Sequence, residues 1–440
     1  MFYRNSLRNV KVTLFLLLFV SVKAFSQNTT FKDVANIFET KCAVCHKPGE
    51  AAPFSLLTYE DIKNRASFIK HVIETRYMPP WRADAHYRDY SNNRSLSKPE
   101  ILKIVSWINN NAPRGDYPKN KSIISGISSS ENRKPDLTLK IDKPFLVKGD
   151  NLEKFIVFKI PFEIDSERNV EAVEFVCNNK KIIHHVNYGF YNVPDTGINL
   201  YADSSYVDTD IKDDKIHQYD KYYKIPMNYY TGWIPGASIE SYPPGIGWKM
   251  PKRGVVLLTA HYSSIAVNEK SIVGINLYFT KKPIKREVQI VSLGSAGIGE
   301  DDISPPLFLE PNKIQTFKLK VRTQEDQSIM YVWPHMHYLG KEFTAFAVTP
   351  QNDTIPLVHI PAWDFRWQEL YKMKKFVYLP AGSEVNMIGI YDNTANNPFN
   401  PHSPPQVVVS TDNMEATDEM FTLIMIYVSY QKGDENLNIE

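Results

Sequence analysis

The side chains of this chain best placed to do chemistry are an adjacent pair, His184 and His185, a lone His261 in an apolar run, and His335 with His337 one residue apart, followed by Met420. Imidazole suits copper and a thioether adds the softness that favours Cu(I). Three His in one group and two His plus Met in the other therefore describe two copper ions of unequal character. Upstream, Cys42-Ala43-Val44-Cys45-His46 has the spacing of a covalent haem c attachment, which sets both thioether bonds and the iron ligand on one helical turn. A zinc half-site is the competing reading, but no second Cys pair exists to complete it. Met78, in Tyr77-Met78-Pro79-Pro80-Trp81, is the expected sixth iron ligand, because two prolines stop a helix and hold the residue in a rigid loop. His71 and His86 are the alternatives and would give a haem of lower potential.

Each of these residues also has a bland reading. Successive strand residues face opposite ways, so His335 and His337 share a face with Tyr331 and Trp333, and Pro334 places that strand at an edge or an end. A chance His-x-His on a strand is nevertheless common. His184 and His185 face apart, so joint binding requires a bulge, a twist or the use of different ring nitrogens. His261 shares a face with Val255, Leu257 and Thr259, and alone it reads as a buried, hydrogen-bonded histidine. Met420 alone reads as core. Cys177 alternates with Val173 and Phe175 and reads as a buried small hydrophobe, with no activating cation beside it in sequence.

The elements that must position these residues change character along the chain. Residues 27–118 are helical in pattern. Thr58 and Asp61 resemble a cap ahead of Ile62, Ala66, Ile69 and Ile73, and a capping box at Ser97 and Glu100 opens a helix carrying Ile101, Ile104, Val105 and Ile108. Residues 119–134 are a linker by composition. From there alternating apolar runs separated by turn residues predict β-sandwiches, too much for one, with a division near Pro283 into 135–283 and 284–440. Tyr201 to Tyr230 breaks the rhythm with Asp, Lys and Tyr. It reads as a solvated insertion or as a lid near the first histidine group, with His217 not a ligand.

Compartment follows from the ends and the cysteines. Arg4, Arg8 and Lys11 precede an apolar run from Val12 to Val22 and then Ala24-Phe25-Ser26, the pattern of a secretory signal over 1–26, and the run is short for a membrane span. An uncleaved anchor is the other reading. Cleavage takes four basic residues and no acid from a formal +2, leaving a formal −2. That balance, with no basic run that could track phosphates, excludes a nucleic-acid partner. With three cysteines, two of them in the haem motif, an exported chain of this kind, periplasmic or extracellular, is disulfide-free.

Four motifs in order, Ile183-His184-His185-Val186, Pro244-Gly245-Ile246-Gly247-Trp248 ahead of Thr259-Ala260-His261-Tyr262, His335-Met336-His337-Tyr338-Leu339-Gly340-Lys341 and Thr417-Asp418-Glu419-Met420, resemble the copper type II, ascorbate-dependent monooxygenases, the family of peptidylglycine α-hydroxylating monooxygenase and dopamine β-monooxygenase. Cys42 to Asp116, with the Trp107 helix and Gly115-Asp116, resembles small class I cytochrome c domains. The resemblances imply a multidomain fold, a small all-α cytochrome c domain followed by two all-β jelly-roll-like sandwich domains. By them His184, His185 and His261 hold an electron-storing copper, His335, His337 and Met420 hold the copper that binds oxygen, and the two face each other across a solvent cleft. They also imply that one electron from each copper reduces O2 while a C–H bond of a small organic substrate is hydroxylated.

Peptide-hydroxylating members carry an Arg and a Tyr that read a substrate carboxylate where this chain has Trp333 and Ile424, so a peptide ending in glycine does not fit. The fused haem is the expected electron donor, at high effective concentration, in place of some or all of an ascorbate-like reductant or a redox protein. The rival class is a non-enzymatic haem and copper protein that transfers electrons or binds copper. A haem that senses redox state to gate the copper domains is a third reading.

Overall fold

The computed structural model describes residues 29–124, 133–209, 211, 214–237, 239–411 and 417–439. The signal over 1–26 lies outside the described residues, as do 125–132 of the linker. Among the described residues no helix is long and apolar enough to cross a membrane.

The body is β-sheet. In the first half a five-stranded sheet is built on three ten-residue strands, Lys154–Glu163, Ile183–Asn192 and Arg253–Tyr262, the last lying between the other two. Facing it is a six-stranded sheet that includes Arg168–Cys177, Val273–Phe279 and Ile246–Met250. Alternation explains the packing: Val256, Leu258 and Ala260 point into the main core, while Val255 and Leu257 point outward into a separate one. That second core holds Tyr219 and Tyr222 from the Asp- and Tyr-rich segment, together with Leu200 and Val207. Lys159 is buried with them, paired to Asp203 at 3.5 Å and 5.9 Å from the Tyr219 ring centre. The segment is therefore a packed cover, on the face that also carries His261 but nearer the start of that strand. His217 is exposed and 3.3 Å from Asp220.

The short strand Arg286–Glu287 still belongs to the first half, pairing with Ile246–Met250, and Gln289–Gly294 belongs to the second. The second half has two four-stranded sheets. One runs in the order Gln289–Gly294, Thr422–Ser429, Gln327–His335, Tyr371–Leu379; the other contains Lys313–Arg322, Glu384–Asn393, Gly340–Val348 and Thr354–Ile360.

The expected all-α cytochrome c domain ahead of two jelly-roll-like domains is corrected here. The described residues are mostly β-sheet in several sandwich sheets, with five α-helices of 4 to 12 residues: α1 (Phe31–Lys41), α2 (Tyr59–Lys63), α3 (Ala66–Glu74), α4 (Lys98–Asn109) and α5 (Asp220–Tyr223). Helical caps form as the sequence dictates, with reciprocal capping boxes at Thr58/Asp61 and Ser97/Glu100. The expected helix through Ile62 and Ile73, however, breaks at Asn64 and Arg65. Residues between α3 and α4 leave the helical layer altogether. Tyr90 pairs with Met373, Ala83 and Tyr90 enter the main core, and Arg82 and Arg94 pair with Asp364 and Glu369. The helices share a small core of their own around Phe31, Phe38 and Trp107, while the stretch carrying Ala83 and Tyr90 packs into the main β core.

Candidate metal centres

Strand register assembles the first histidine group. His261 is the cross-strand partner of His185, and the ladder then slips so that Tyr262 faces Ile183. His184 is the residue left over, in a β-bulge, and a bulge is one of the devices that lets adjacent side chains turn toward one site. The His184 and His185 rings each lie 4.9 Å from the His261 ring, centre to centre.

Glu153, which carried no signal in the sequence, closes the group. Its carboxylate lies 3.4 Å from His184 Nε2 and accepts from His261 Nε2 at 2.9 Å and from the Tyr338 hydroxyl at 2.6 Å. Ligand atoms of Glu153, His184 and His261 all fall within 4.8 Å of one another, close enough to surround an ion. With Nε2 of His261 donating to the carboxylate, its lone pair is on Nδ1, which is buried and has no partner. Nδ1 of His185 is buried and unpartnered too. Buried polar atoms of this kind are costly unless something fills the site, and imidazoles oriented by a carboxylate behind them are the usual architecture of a metal-binding His. Burial, with neighbouring histidines adding to it, holds His185 well below its ordinary pKa. Burial also lowers His261 to about 4 against the pull of Glu153. Burial likewise opposes ionisation of Glu153, but the hydrogen bonds from His184, His261 and Tyr338 outweigh it and hold the carboxyl well below the usual range. At neutral pH these two rings are uncharged and no proton competes with a metal.

The second group sits at a strand end. Pairing of Gln327–His335 with Tyr371–Leu379 stops at Val332, so the missing N–H of Pro334 leaves no gap in that ladder. On the other side His335 pairs with Thr422, and the same register continued sets Met420 opposite His337. Met420 lies just before its strand, is buried, and accepts the Tyr391 hydroxyl on its carbonyl at 2.7 Å. Glu419 staples the turn: its carboxylate accepts the backbone N–H groups of His337 at 2.9 Å and Leu339 at 2.6 Å. Burial pushes that carboxyl up to about 8, opposed by the N–H groups of His337, Leu339 and Met420.

His337 Nδ1 donates to the Asp418 carbonyl at 3.0 Å and His335 Nδ1 donates to the Gln368 side-chain oxygen. Both Nε2 atoms then carry lone pairs, and they face each other at 3.1 Å. Burial lowers His335 to about 4, with the Gln368 contact opposing.

The two groups are in contact, which differs from the expected solvent cleft. Phe365 lies 5.6 Å from His185 and from His261, 5.1 Å from His337 and 4.6 Å from Tyr338, ring centre to ring centre. Tyr338 reaches Glu153, and the Gln368 amide nitrogen lies 3.3 Å from His185 Nε2. Trp333 fills the seam. A Cβ on Gly232 would fall 2.4 Å from its ring, and its indole N–H donates to the Gln368 carbonyl at 3.2 Å. Trp333 and Ile424 are both buried, packed rather than presented to a substrate.

Cys42 and Cys45 of the Cys42–His46 turn, and Cys177 at the end of its strand, form no disulfide with one another. Burial pushes Cys42 up to about 12 and Cys177 up to about 11, which keeps both protonated. His46 Nδ1 donates to the Phe54 carbonyl at 2.9 Å, so the lone pair is on Nε2, the state an iron ligand needs. Met78 packs against the helical core with Cys42 and Phe54, whereas His71 and His86 are exposed. The turn is docked on the first sandwich. Gly236, at φ +86°, has space for a Cβ only by coming within 2.5 Å of Cys45 Sγ, and Lys180 bonds Glu50 at 2.9 Å. A cavity of about 290 Å³ opens between these parts, walled by Val44, Arg94, Trp233, Glu240 and Gln368.

No family model matches the chain, and no curated protein does. Solved structures give distant likenesses. A structure of allantoicase is 12% identical over 57% of this chain and 83% of that one, with a TM-score of 0.17. A subviral particle of infectious bursal disease virus VP2 is 10% identical over 68% and 79%, with a TM-score of 0.16. Overlaps this slight carry no argument about fold or function.

Proposed function

We propose that the chain is an exported copper-dependent monooxygenase with two copper sites and a covalently held haem c. The observation that carries this reading is the set of five histidines drawn from three distant stretches and brought into two neighbouring groups, with burial lowering the pKa of His185, His261 and His335. His184, His185 and His261 would hold one copper, and His335, His337 and Met420 the other. Bound there, two coppers of unequal ligation would supply one electron each, so that O2, two protons and a substrate C–H give an alcohol and water. Cys42, Cys45 and His46, with Met78 as sixth ligand, would hold the haem, which supplies one-electron input.

The chain's own residues do the rest. Glu153 and Gln368 set ring orientation, and Phe365 packs between the two groups. Small apolar or aromatic substrates suit such surroundings better than acidic ones.

Metal analysis of the purified chain is expected to give one iron and two coppers. The reduced protein should consume O2 and form a hydroxylated product, and Met420→Ala should not. If both consume O2 equally and no product forms, the non-enzymatic copper or electron-transfer reading takes its place. His46→Ala or Met78→Ala should slow turnover with a protein or dye donor while copper content stays at two.

A further inference from the structure

We propose that the Gln368 side-chain amide couples the two histidine groups, by deciding which ring nitrogen of His185 and of His335 is left with a lone pair. The inference rests on the reading that both groups hold metal, and concerns how one site senses the other.

Gln368 is buried and fixed at several points. Its Nε2 donates to the Phe365 carbonyl at 3.0 Å and lies 3.3 Å from His185 Nε2, while its Oε1 accepts from His335 Nδ1. The Phe365 carbonyl can only accept, so the NH2 end is the one that faces His185. An amide offers donors at one end and an acceptor at the other, and here the ends serve different sites.

The consequences for the two rings are opposite. His335 keeps its proton on Nδ1, so its Nε2 is free to bind metal beside His337 Nε2. His185 receives a proton donor on Nε2, so its own proton is forced onto Nδ1, the buried atom that has no partner. In this orientation the second group is ready and His185 is not. Turning the amide over gives up the donation to the Phe365 carbonyl, which Oε1 cannot replace, and reverses both. Oε1 would accept from His185 Nε2–H and release Nδ1 as a ligand, while Nε2 would donate to His335 Nδ1 and move that proton to the ligating side. A metal on His185 Nδ1 therefore weakens the second site, and the coupling is negative and reciprocal.

Gln368→Glu separates this role from a packing role. A carboxylate of nearly the same shape accepts from both rings at once, so both ring hydrogen bonds survive and only the donation to the Phe365 carbonyl is lost, while the antagonism disappears. The affinity of the second group for Cu(I) is read by competition with a chromophoric chelator, in the full-length chain with the first group filled and in His261→Ala, where it is disabled. We expect affinity about fivefold or more weaker when the first group is filled, within the range of ordinary site coupling, and no difference when Gln368→Glu is added to both backgrounds. Equal affinities in the native chain, or a gap that persists with Gln368→Glu, overturn the inference while leaving the copper assignment intact. Long-range 1H–15N correlation on the metal-free chain gives a readout that does not depend on metal. His185 and His335 should both carry Nδ1 protons, with the His185 proton moving to Nε2 in Gln368→Glu. A native His185 protonated on Nε2 overturns the inference. If no Cu(I) binds at all, the function proposed above fails, and the proton positions still decide whether Gln368 sets both rings.

Discussion

The two histidine groups are built by different means. In the first, two paired strands of one sheet bring the rings together, a bulge turns His184 inward, and an ionised carboxylate stands behind the imidazoles. In the second, one strand end supplies both rings, a loop is pinned by Glu419, and the atoms behind the imidazoles are a neutral carbonyl and a neutral amide. A carboxylate raises the basicity of the imidazole it accepts from, more than a neutral acceptor does. On the copper reading proposed above, the first group would be the better home for the more oxidised ion and the second for the softer one, a distinction that the ligand types alone only half express.

The largest effect that tests this contrast is His261→Ala, which should cost the chain one of the two coppers proposed for it while His335 and His337 retain theirs, as counted by metal analysis. Loss of both ions, or of neither, would mean that the groups are not separate sites.

Asp364 tests the loop that joins them. Burial opposes its ionisation, but Arg366 and Arg82 outweigh this and hold its carboxyl below the ordinary 3.8. A depressed folded pKa means that its stabilisation is present in full above the ordinary value and is lost as pH falls through the lower folded one. Asp364→Asn should cost about 3 kcal/mol at pH 7, as for breaking a buried ion pair. It should also flatten the acid limb of stability, measured by denaturant unfolding between pH 2 and pH 7. An unchanged acid limb would remove Asp364 from the account.

Glu153→Gln should weaken copper in the first group about 10- to 100-fold, the usual effect of removing a carboxylate behind a ligand, and leave the second group's affinity alone. Equal weakening of both would show that Glu153 acts through the seam instead. Tyr338→Phe, which removes only the hydroxyl to Glu153, should produce the smallest change, about threefold in the first group's affinity.

What the sequence made legible follows from which information is local. Caps at Thr58 and Ser97 were readable because the residues that close them are three positions apart. The long strands were readable by alternation. The first group could be anticipated as far as its histidines, since His184, His185 and His261 lie in strands with clear apolar patterns. The bulge that reconciles the adjacent pair could be named only as a requirement. Glu153, Phe365 and Gln368 left no trace, because each acquires its role from residues far away in sequence, such as His185 lying 183 positions from Gln368. The helical stretch misled for the same reason. Its local pattern is right, but Arg82, Tyr90 and Arg94 look like loop residues until Asp364, Met373 and Glu369 arrive to claim them.

The seating of Cys45 against Gly236, with Lys180 gripping Glu50 four residues past His46 and four before His184, has a kinetic corollary. A carrier on a loose leash must search for its acceptor, and its delivery slows as the leash lengthens. With a haem and copper held as proposed, the hand-over distance would be set by packed atoms, so inserting residues into the 119–134 stretch should leave the rate of internal electron passage untouched, while placing a bulky side chain at Gly236 should not.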